Sequence, residues 1–229
     1  MNSISSTNIT FISLGYNCSV KIFLNQTIDQ PTNIFDWIGS PMWGINKFIE
    51  NNYNLFNEDE YKKLQIFSEN IDYTHLKCNT KYYFKFLHDL PTDSSINKTY
   101  IMHNKNGEII KINNFTNFKN KYQRRIERFK ELLNSNKLIV FIRLEECTKN
   151  KIIHDEYREL DVKSELDYIK EFIILIKNKY STLNFKLIFL SNTNPTELNN
   201  NLLILNNTNN DISDTFNNNI ELINLLLKS

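Results

Sequence analysis

The chain alternates between short runs of consecutive apolar residues and longer stretches in which apolar residues recur at helical spacing. The segment "ITFISLGY" at residues 9–16 is β-branched and aromatic and ends near Gly15, which predicts a short buried strand. The segments "KLIVFIRLEE", "FKLIFLSNTN" and "NLLILNNT" have the same character. Continuous apolar runs of this kind are typical of parallel strands, because helices cover both faces of a parallel sheet.

Apolar residues three to four positions apart predict amphipathic helices between and after these strands. A helix that opens at Pro41, with Ser40 as its N-cap, is predicted for "PMWGINKFIENNYNLF". The longest predicted helix, "NFKNKYQRRIERFKELLNS", places on one face Tyr122, Ile126, Phe129, Leu132 and Leu133. Three more segments have this spacing: "CSVKIFLNQ", "ELDYIKEFIILIKNKYS" and "NIELINLLLKS".

Buried strands that alternate with amphipathic helices predict an α/β fold. We expect a mainly parallel sheet flanked by helices in three layers, Rossmann-like or flavodoxin-like, and the alternative is an α+β, papain-like fold. Residues 1–229 are predicted to form a single α/β domain, with a less regular insert at about 57–110. In this insert, Asn106 and Gly107 stand between two apolar runs and predict a hairpin.

Composition narrows the classes of function. With 229 residues and 41% hydrophobic content, the chain can bury one core. Its formal charge of +1 gives no general attraction to nucleic acid or to a membrane surface. The sequence contains neither an apolar run of the roughly 18 residues that a membrane span needs nor the pattern of a signal peptide. We therefore predict a cytoplasmic, intracellular protein with no nucleic-acid partner and no membrane span, while the oligomeric state is left open.

The three cysteines, Cys18, Cys78 and Cys147, are widely spaced and include no Cys-x-x-Cys pair, so neither a zinc knuckle nor a redox dithiol is predicted. Histidine, aspartate and glutamate residues do not fall at a recognisable ligand spacing. The segment "LGYNCS" has one glycine where phosphate-binding loops need several. The sequence thus predicts no metal and no cofactor.

Cys18 differs from the other two cysteines in its position. It follows the first predicted strand and the turn at Gly15 and Tyr16, and it opens the next predicted helix. A helix N-terminus stabilises a thiolate, and ligands of open parallel sheets bind at the strand ends. Asn17 would cap this helix or donate to a developing oxyanion. The alternative is that Cys18 is a small buried hydrophobic residue.

A nucleophilic thiol needs a base, and His88 is the strongest candidate. It ends an aromatic segment, has Asp89 beside it and precedes Pro91. The alternative for His88 alone is a surface histidine at a strand end. A second candidate is His154, which follows the predicted strand in "FIRLEE".

The loop segment "FDWI" places Asp36 between large apolar residues, with Trp37 beside it. A buried aspartate needs a specific partner, such as a histidine or an arginine. The segment "RRIER" contains a cluster of three arginines, Arg124, Arg125 and Arg128. This cluster is either the solvated face of a helix or a binding site for an anion.

The segments "ISLGYNCSVKIFL", "NIFDWIGSPMWGINKFIENNYNLF", "FLHDLP" and "KYQRRIERFKELL", the last leading into "LIVFIRLEE", together resemble a family of bacterial and large-DNA-virus proteins. That family is described as papain-like cysteine peptidases (domain of unknown function 1796). The resemblance covers roughly residues 10–195. It implies that Cys18 is the nucleophile and His88 the base, with Asp89 or Asp36 as orienter, and a viral member would act in the host cytoplasm or the virion.

The leading hypothesis is therefore a cysteine-nucleophile hydrolase or acyltransferase that acts on an amide or ester, with Gly15, Tyr16 and Trp37 at the binding site. The main alternative is a glycosyltransferase-like protein that binds a nucleotide-sugar or another anionic ligand, in which Cys18 is structural. Its site would be lined by Asp36, the arginine cluster, Glu145, Glu146, Ser191 and Asn192. A third possibility is a non-catalytic interaction module with an inert Cys18.

Overall fold

The structure is a computed structural model that describes residues 8–16, 18–28, 31–55, 65–67, 75–77, 82, 84, 101–103, 109–111, 115–145, 163–209 and 211–229. In the short strands between 65 and 111, and at 115–118, it describes the backbone alone. Several sequence-derived candidates lie outside the described residues: Asn17, Cys78, His88, Asp89, Glu146, Cys147 and His154.

The centre of the fold is a five-stranded sheet in which four strands run parallel. The described strands are β1 (Ile9–Ser13), β2 (Gln65–Phe67), β3 (His75–Lys77), β4 (Ile101–His103), β5 (Ile109–Lys111), β6 (Leu138–Leu144), β7 (Phe185–Ser191), β8 (Glu197–Asn199) and β9 (Leu202–Asn206). The order in the sheet is β1-β6-β7-β9-β8, and β8 is antiparallel to β9. The predicted α/β fold with a mainly parallel sheet is confirmed.

Helices cover both faces of this sheet. They are α1 (Ser19–Thr27), α2 (Met42–Glu50), α3 (Phe115–Leu133), α4 (Glu165–Lys179), α5 (Ile212–Asn218) and α6 (Ile220–Lys228). One core joins one face of the sheet to α2, α3 and α4. The other core joins the opposite face to α1, α5 and α6. The result is the three-layer arrangement that the alternating pattern predicts.

The strand register brings the loops after the parallel strands to one edge of the sheet. Ser13 of β1 is level with Ile142 of β6, and Ser191 of β7 is level with Asn206 of β9. Because parallel strands leave a sheet in the same direction, the residues that follow β1, β6, β7 and β9 share its carboxyl edge.

Helix α2 begins one residue later than the sequence predicts. Pro41 is its N-cap and Met42 its first residue, whereas Ser40 lies outside the helix. The prediction of Ser40 as N-cap is wrong, because its hydroxyl donates instead to the Leu14 carbonyl at 3.2 Å. Gly44 lets the same helix approach a neighbouring backbone closely, since a Cβ there would lie 2.2 Å from the Tyr82 carbonyl oxygen.

Two antiparallel strand pairs, β2–β3 and β4–β5, lie in or beside the segment that was predicted as an insert. Strands β4 and β5 pair from Ile101↔Lys111 to His103↔Ile109. This pairing confirms the hairpin predicted around Asn106 and Gly107. The turn at residues 104–108 lies outside the described residues.

Candidate functional site

The turn between β1 and α1 has a backbone conformation that few side chains adopt. Gly15 has φ +76° and Tyr16 has φ 74°, so two consecutive residues lie in the left-handed region. A Cβ at Gly15 would come within 2.1 Å of the Ser40 Oγ. Glycine is therefore required at Gly15 both by the dihedral angle and by the space. Its N–H donates to the Ser13 hydroxyl at 3.1 Å.

Cys18 is the N-cap residue of α1 and lies at the carboxyl edge. Its thiol is free and half-buried. The Cys18 backbone is already helical, at φ −78° and ψ −6°, and its carbonyl accepts the Ile22 N–H at 2.9 Å. The Cys18 side chain makes no capping hydrogen bond, and the first turn of α1 carries no acidic residue. The first N–H groups of a helix lack intrahelical acceptors, and they point towards the N-terminal end where Cys18 lies.

The Arg143 side chain hydrogen-bonds to the backbone that leads into this turn. The arginine is fully buried at the end of β6. Its Nη1 donates both to the Leu14 carbonyl at 2.9 Å and to the Ser40 carbonyl at 2.8 Å, and its Nε donates to the Glu165 Oε1 at 2.5 Å. The guanidinium also faces the Tyr16 ring, 5.8 Å from its centroid. One buried side chain thus connects the turn, the "FDWIGS" loop and the start of α4.

Asp36 is buried and forms an ion pair with Lys21 of α1. The Lys21 Nζ lies 3.3 Å from the Asp36 Oδ2, and the Asn33 N–H donates to the same oxygen at 2.6 Å. Burial raises the pKa of the Asp36 carboxyl above its ordinary value of 3.8, whereas the Lys21 charge and the Asn33 hydrogen bond act in the opposite direction. The expectation that a buried Asp36 needs a specific partner is met, and that partner is a lysine. Trp37 beside it is half-buried.

The three arginines of the cluster in α3 have different surroundings. Arg124 is exposed. Arg125 is half-buried, with its guanidinium 5.1 Å from the Tyr122 ring centroid and close enough to Asp36 to stabilise its charge. Arg128 donates to the Thr32 carbonyl. Arg125 and Arg128 therefore face the loop that carries Asp36, whereas Arg124 faces solvent.

Glu145, Ser191 and Asn192 form a second polar group at the carboxyl edge. The Glu145 Oε2 accepts hydrogen bonds from the Ser191 hydroxyl at 2.9 Å, the Asn192 N–H at 2.5 Å and the Thr193 N–H at 3.1 Å. Its Oε1 accepts the Thr193 hydroxyl at 2.7 Å. The structure brings Glu145, Ser191 and Asn192 together, and these contacts tie the loop after β7 to the end of β6.

Comparison with known proteins identifies the family of this chain. The family model "Putative papain-like cysteine peptidase (DUF1796)" matches residues 9–195. The chain belongs to this family. It is also 31% identical over 171 residues to "Uncharacterized protein R408" of Acanthamoeba polyphaga mimivirus, a match that covers 68% of this chain and 70% of that protein. No solved structure matches the chain.

In this DUF1796 protein the candidate site consists of the turn at Gly15 and Tyr16, the half-buried Cys18, and the buried Arg143 with Glu165. Within the described ranges, no group of three histidine, cysteine, aspartate or glutamate side chains could hold a metal ion. In the same ranges, no helix combines the length and apolar character that crossing a membrane requires.

The residues predicted from the sequence did not include Arg143, Glu165 and Lys21, which contact the candidate site residues or their supports. A signal for Arg143 was present, because "LIVFIRL" places an arginine inside a strand that was predicted to be buried on both faces. A buried charge needs a partner, and that requirement alone marks Arg143 for attention. No comparable signal marks Lys21, since a lysine in an amphipathic helix is normally exposed.

Proposed function

We propose that this protein is a cysteine-nucleophile hydrolase or acyltransferase, peptidase-like in its chemistry, that acts on an amide or ester. One observation carries the proposal: a half-buried free thiol opens α1 directly after a turn with two positive-φ residues, at the carboxyl edge of a parallel sheet. Ligand sites of open α/β sheets lie at this edge. The family description points to the same chemistry.

The local geometry supports a nucleophile at Cys18. In α/β hydrolases a sharp strand-to-helix turn exposes the nucleophile above the sheet, and the turn before α1 is of this general kind. The N–H groups at the start of α1 would donate to the oxyanion that forms when the thiolate attacks a carbonyl. Strained backbone at such a position persists because surrounding contacts hold it, and here Arg143 and Ser40 bind the Leu14 carbonyl.

We assign His88 as the base and Asp89 as its orienter. Both lie outside the described residues, so this assignment rests on the family resemblance. Asp89 is preferred to Asp36, because the Asp36 Oδ2 already accepts hydrogen bonds from Lys21 and Asn33. Asn17 remains a candidate oxyanion donor on the same basis.

In the proposed reaction the Cys18 thiolate, formed by proton transfer to His88, attacks the substrate carbonyl carbon. The tetrahedral adduct collapses with cleavage of the C–N or C–O bond, and the leaving amine or alcohol takes the proton from His88. The acyl group is then a thioester on Cys18. Water, or another nucleophile in a transferase, gives its proton to His88, attacks the thioester and regenerates the thiol.

The proposal is tested with p-nitrophenyl acetate, a neutral activated ester. The native protein is expected to release p-nitrophenolate in a burst and to carry an acetyl group on Cys18, located by peptide mass spectrometry. The variant Cys18→Ala should lose both signals, and His88→Gln should slow acetylation by roughly 100-fold or more. Cys147→Ala is the matched control and should acetylate Cys18 at the wild-type rate.

Acetylation spread equally over the three cysteines would contradict the proposal, as would a rate at Cys18 that does not fall when the protein is denatured. In either case the thiol would have no more than ordinary reactivity. The structural interpretation of Cys18 would then stand.

A further inference from the structure

The buried guanidinium of Arg143 has donors that no described residue accepts. An arginine carries five N–H donors. Nε donates to Glu165 and Nη1 donates to Leu14 and Ser40, whereas Nη2 is buried and has no hydrogen-bond partner among the described residues. The large majority of buried donors in proteins have a hydrogen-bond partner, so the unpaired Nη2 requires an explanation.

The position of this donor connects it to the Cys18 turn. The same guanidinium binds the Leu14 carbonyl and faces the Tyr16 ring, and both residues belong to the segment that leads into Cys18. Among the groups that Arg143 contacts, Tyr16 and Glu165 are partly exposed, whereas Leu14 and Ser40 are buried. Because Nη2 itself is closed to solvent, a small ligand reaches it only when the partly exposed side chain of Tyr16 or Glu165 moves aside.

Two sources of positive potential lie along the segment from Leu14 to Cys18. One is the N-terminus of α1, which carries no acidic residue in its first turn and no side-chain cap from its N-cap residue. The other is the Arg143 guanidinium, of which Glu165 engages one N–H. An oxygen anion is the ligand type that suits each of them, because it accepts from a guanidinium N–H and is attracted to a helix N-terminus.

We propose that Nη2 of Arg143 binds a carboxylate of the substrate, so that the preferred acyl substrate carries a carboxylate close to the bond that Cys18 attacks. This inference rests on the proposed function, since the anionic groups of a peptide substrate are carboxylates. The carboxylate belongs either to the C-terminus of a peptide or to an acidic side chain. Arg143 is then a substrate-binding residue as well as a support of the turn.

The test compares alkylating reagents that differ in charge. Iodoacetate and N-iodoacetylglycine are acidic, and iodoacetamide and N-iodoacetylglycinamide are their neutral counterparts at two spacer lengths. For each reagent, the alkylation rate of Cys18 is divided by the alkylation rate of glutathione. In the ratio of the acidic to the neutral reagent, the fraction of Cys18 that is present as thiolate cancels. We expect this ratio to exceed that of glutathione by about tenfold for at least one spacer, as for one charge-assisted hydrogen bond.

Two variants and one control test the role of Arg143. Arg143→Met should abolish the preference for the acidic reagent. Glu165→Gln keeps an acceptor for Nε but removes the charge that neutralises the guanidinium, so it should raise the preference for the acidic reagent. This variant provides the test if Arg143→Met fails to fold. Lys137→Met removes an exposed charge just before β6, at the opposite end of that strand, and should leave the ratio unchanged.

The source of the carboxylate is distinguished by peptides that protect Cys18 from iodoacetamide. The peptide acetyl-Ala-Ala with a free C-terminus is compared with its amide and with acetyl-Glu-Ala-amide. Protection by the first alone indicates a C-terminal carboxylate, and protection by the third alone indicates an acidic side chain. Protection by the neutral amide to the same extent as by both acidic peptides would overturn the proposal.

An independent measurement separates this proposal from the proposed function. N-acetylglycine, but not N-acetylglycinamide, should raise the thermal unfolding midpoint of the wild-type protein. A reactive Cys18 with equal normalised rates for acidic and neutral reagents, and no thermal shift, overturns the carboxylate site alone. A preference that persists in Arg143→Met also overturns it. A Cys18 inert to all four reagents overturns the proposed function, and the substrate assignment falls with it.

Discussion

The ammonium group of Lys21 lies 3.3 Å from the carboxylate of Asp36, and each of these side chains is 2% exposed. The pair joins α1, which Cys18 opens, to the loop that contains "FDWI". Because both charges are removed from water, each one depends on the other for compensation. The ion pair therefore fixes the loop to the helix, and the loss of either partner leaves the other charge buried without compensation.

We expect Lys21→Met to lower the free energy of unfolding by about 3 kcal/mol, because it leaves the Asp36 carboxylate buried without its counter-ion. The double variant Lys21→Met/Asp36→Leu should recover most of this loss, since an apolar pair of similar size has no desolvation cost. Urea denaturation of the single and double variants measures both values. Lys47→Met, at an exposed lysine paired with Glu50, is the control and should change stability by less than about 0.5 kcal/mol. Equal losses in the single and double variants would refute this account of the pair.

The raised pKa of Asp36 predicts a pH dependence of stability. A carboxyl whose pKa is higher in the folded state than its unfolded value of 3.8 binds its proton more tightly when folded. Its contribution is therefore present in full below the unfolded pKa and is lost as pH rises through the folded pKa. We expect the free energy of unfolding of the wild type, minus that of Lys21→Met/Asp36→Leu, to fall as pH rises above about 4. A difference that rises with pH would show that Lys21 outweighs burial.

Gly15→Ala should destabilise the protein by more than about 1 kcal/mol, the cost of a left-handed residue with a Cβ. The new methyl group would also meet the Ser40 Oγ at 2.1 Å. The double variant Gly15→Ala/Ser40→Ala removes that oxygen and should recover part of the loss, leaving the dihedral cost. Thermal unfolding of both variants is the measurement, with Ser40→Ala alone as the control for the lost hydrogen bond to Leu14. Gly15→Ala with wild-type stability would show that the turn is not as strained as described.

Gly44→Ala should lower the stability of the protein, whereas a glycine-to-alanine change inside a helix usually raises it. Alanine is normally favoured by about 1 kcal/mol in a helix interior. In α2, however, the added Cβ would lie 2.2 Å from the Tyr82 carbonyl oxygen, which is backbone and cannot rotate away. We therefore expect a net loss of stability in chemical denaturation. Asn120→Ala, at an exposed position of α3, is the matched control and should stabilise slightly. A stabilising Gly44→Ala would mean that α2 packs less closely than described.

Glu145→Gln should cost about 2 kcal/mol of stability, because the Glu145 carboxylate accepts four hydrogen bonds through two oxygens, whereas the amide keeps only one acceptor oxygen and has no charge to strengthen the bonds that it retains. Glu197→Gln is the control, since Glu197 is exposed and accepts a hydrogen bond from Asn199. Denaturant titration compares the two variants. If Glu145→Gln were as mild as Glu197→Gln, the contacts of Glu145 would not hold the loop after β7.

The strands and helices of the main sheet could be predicted from the sequence because their apolar periodicity is strong. The pattern located β6, β7 and β9, and it identified the buried face of α3, on which Tyr122, Ile126, Phe129 and Leu133 are buried. It also located Cys18 at the start of a helix after a strand. These features depend on neighbours in the chain, and periodicity records such neighbours directly.

Contacts between residues far apart in the chain could not be predicted. Ser40 has the side chain of an N-cap, but a buried carbonyl at Leu14 takes its hydroxyl, so α2 begins without it. Lys21 was placed only as a helical residue, and nothing local indicates that it meets Asp36. The partners of Arg143 come from three separate segments, and no spacing rule connects them.

The hydrogen bond between Arg143 and the Leu14 carbonyl spans 129 positions in the chain. A ribosome therefore synthesises Cys18 long before it adds the arginine that supports the Cys18 turn. Strand β1 likewise pairs with β6, which is made equally late. On the growing polypeptide the thiol is an ordinary cysteine in an unfinished strand–turn–helix unit. The contacts that hold the Cys18 turn can therefore form only after β6 has been translated, so this turn is completed by long-range pairing and not by its own segment.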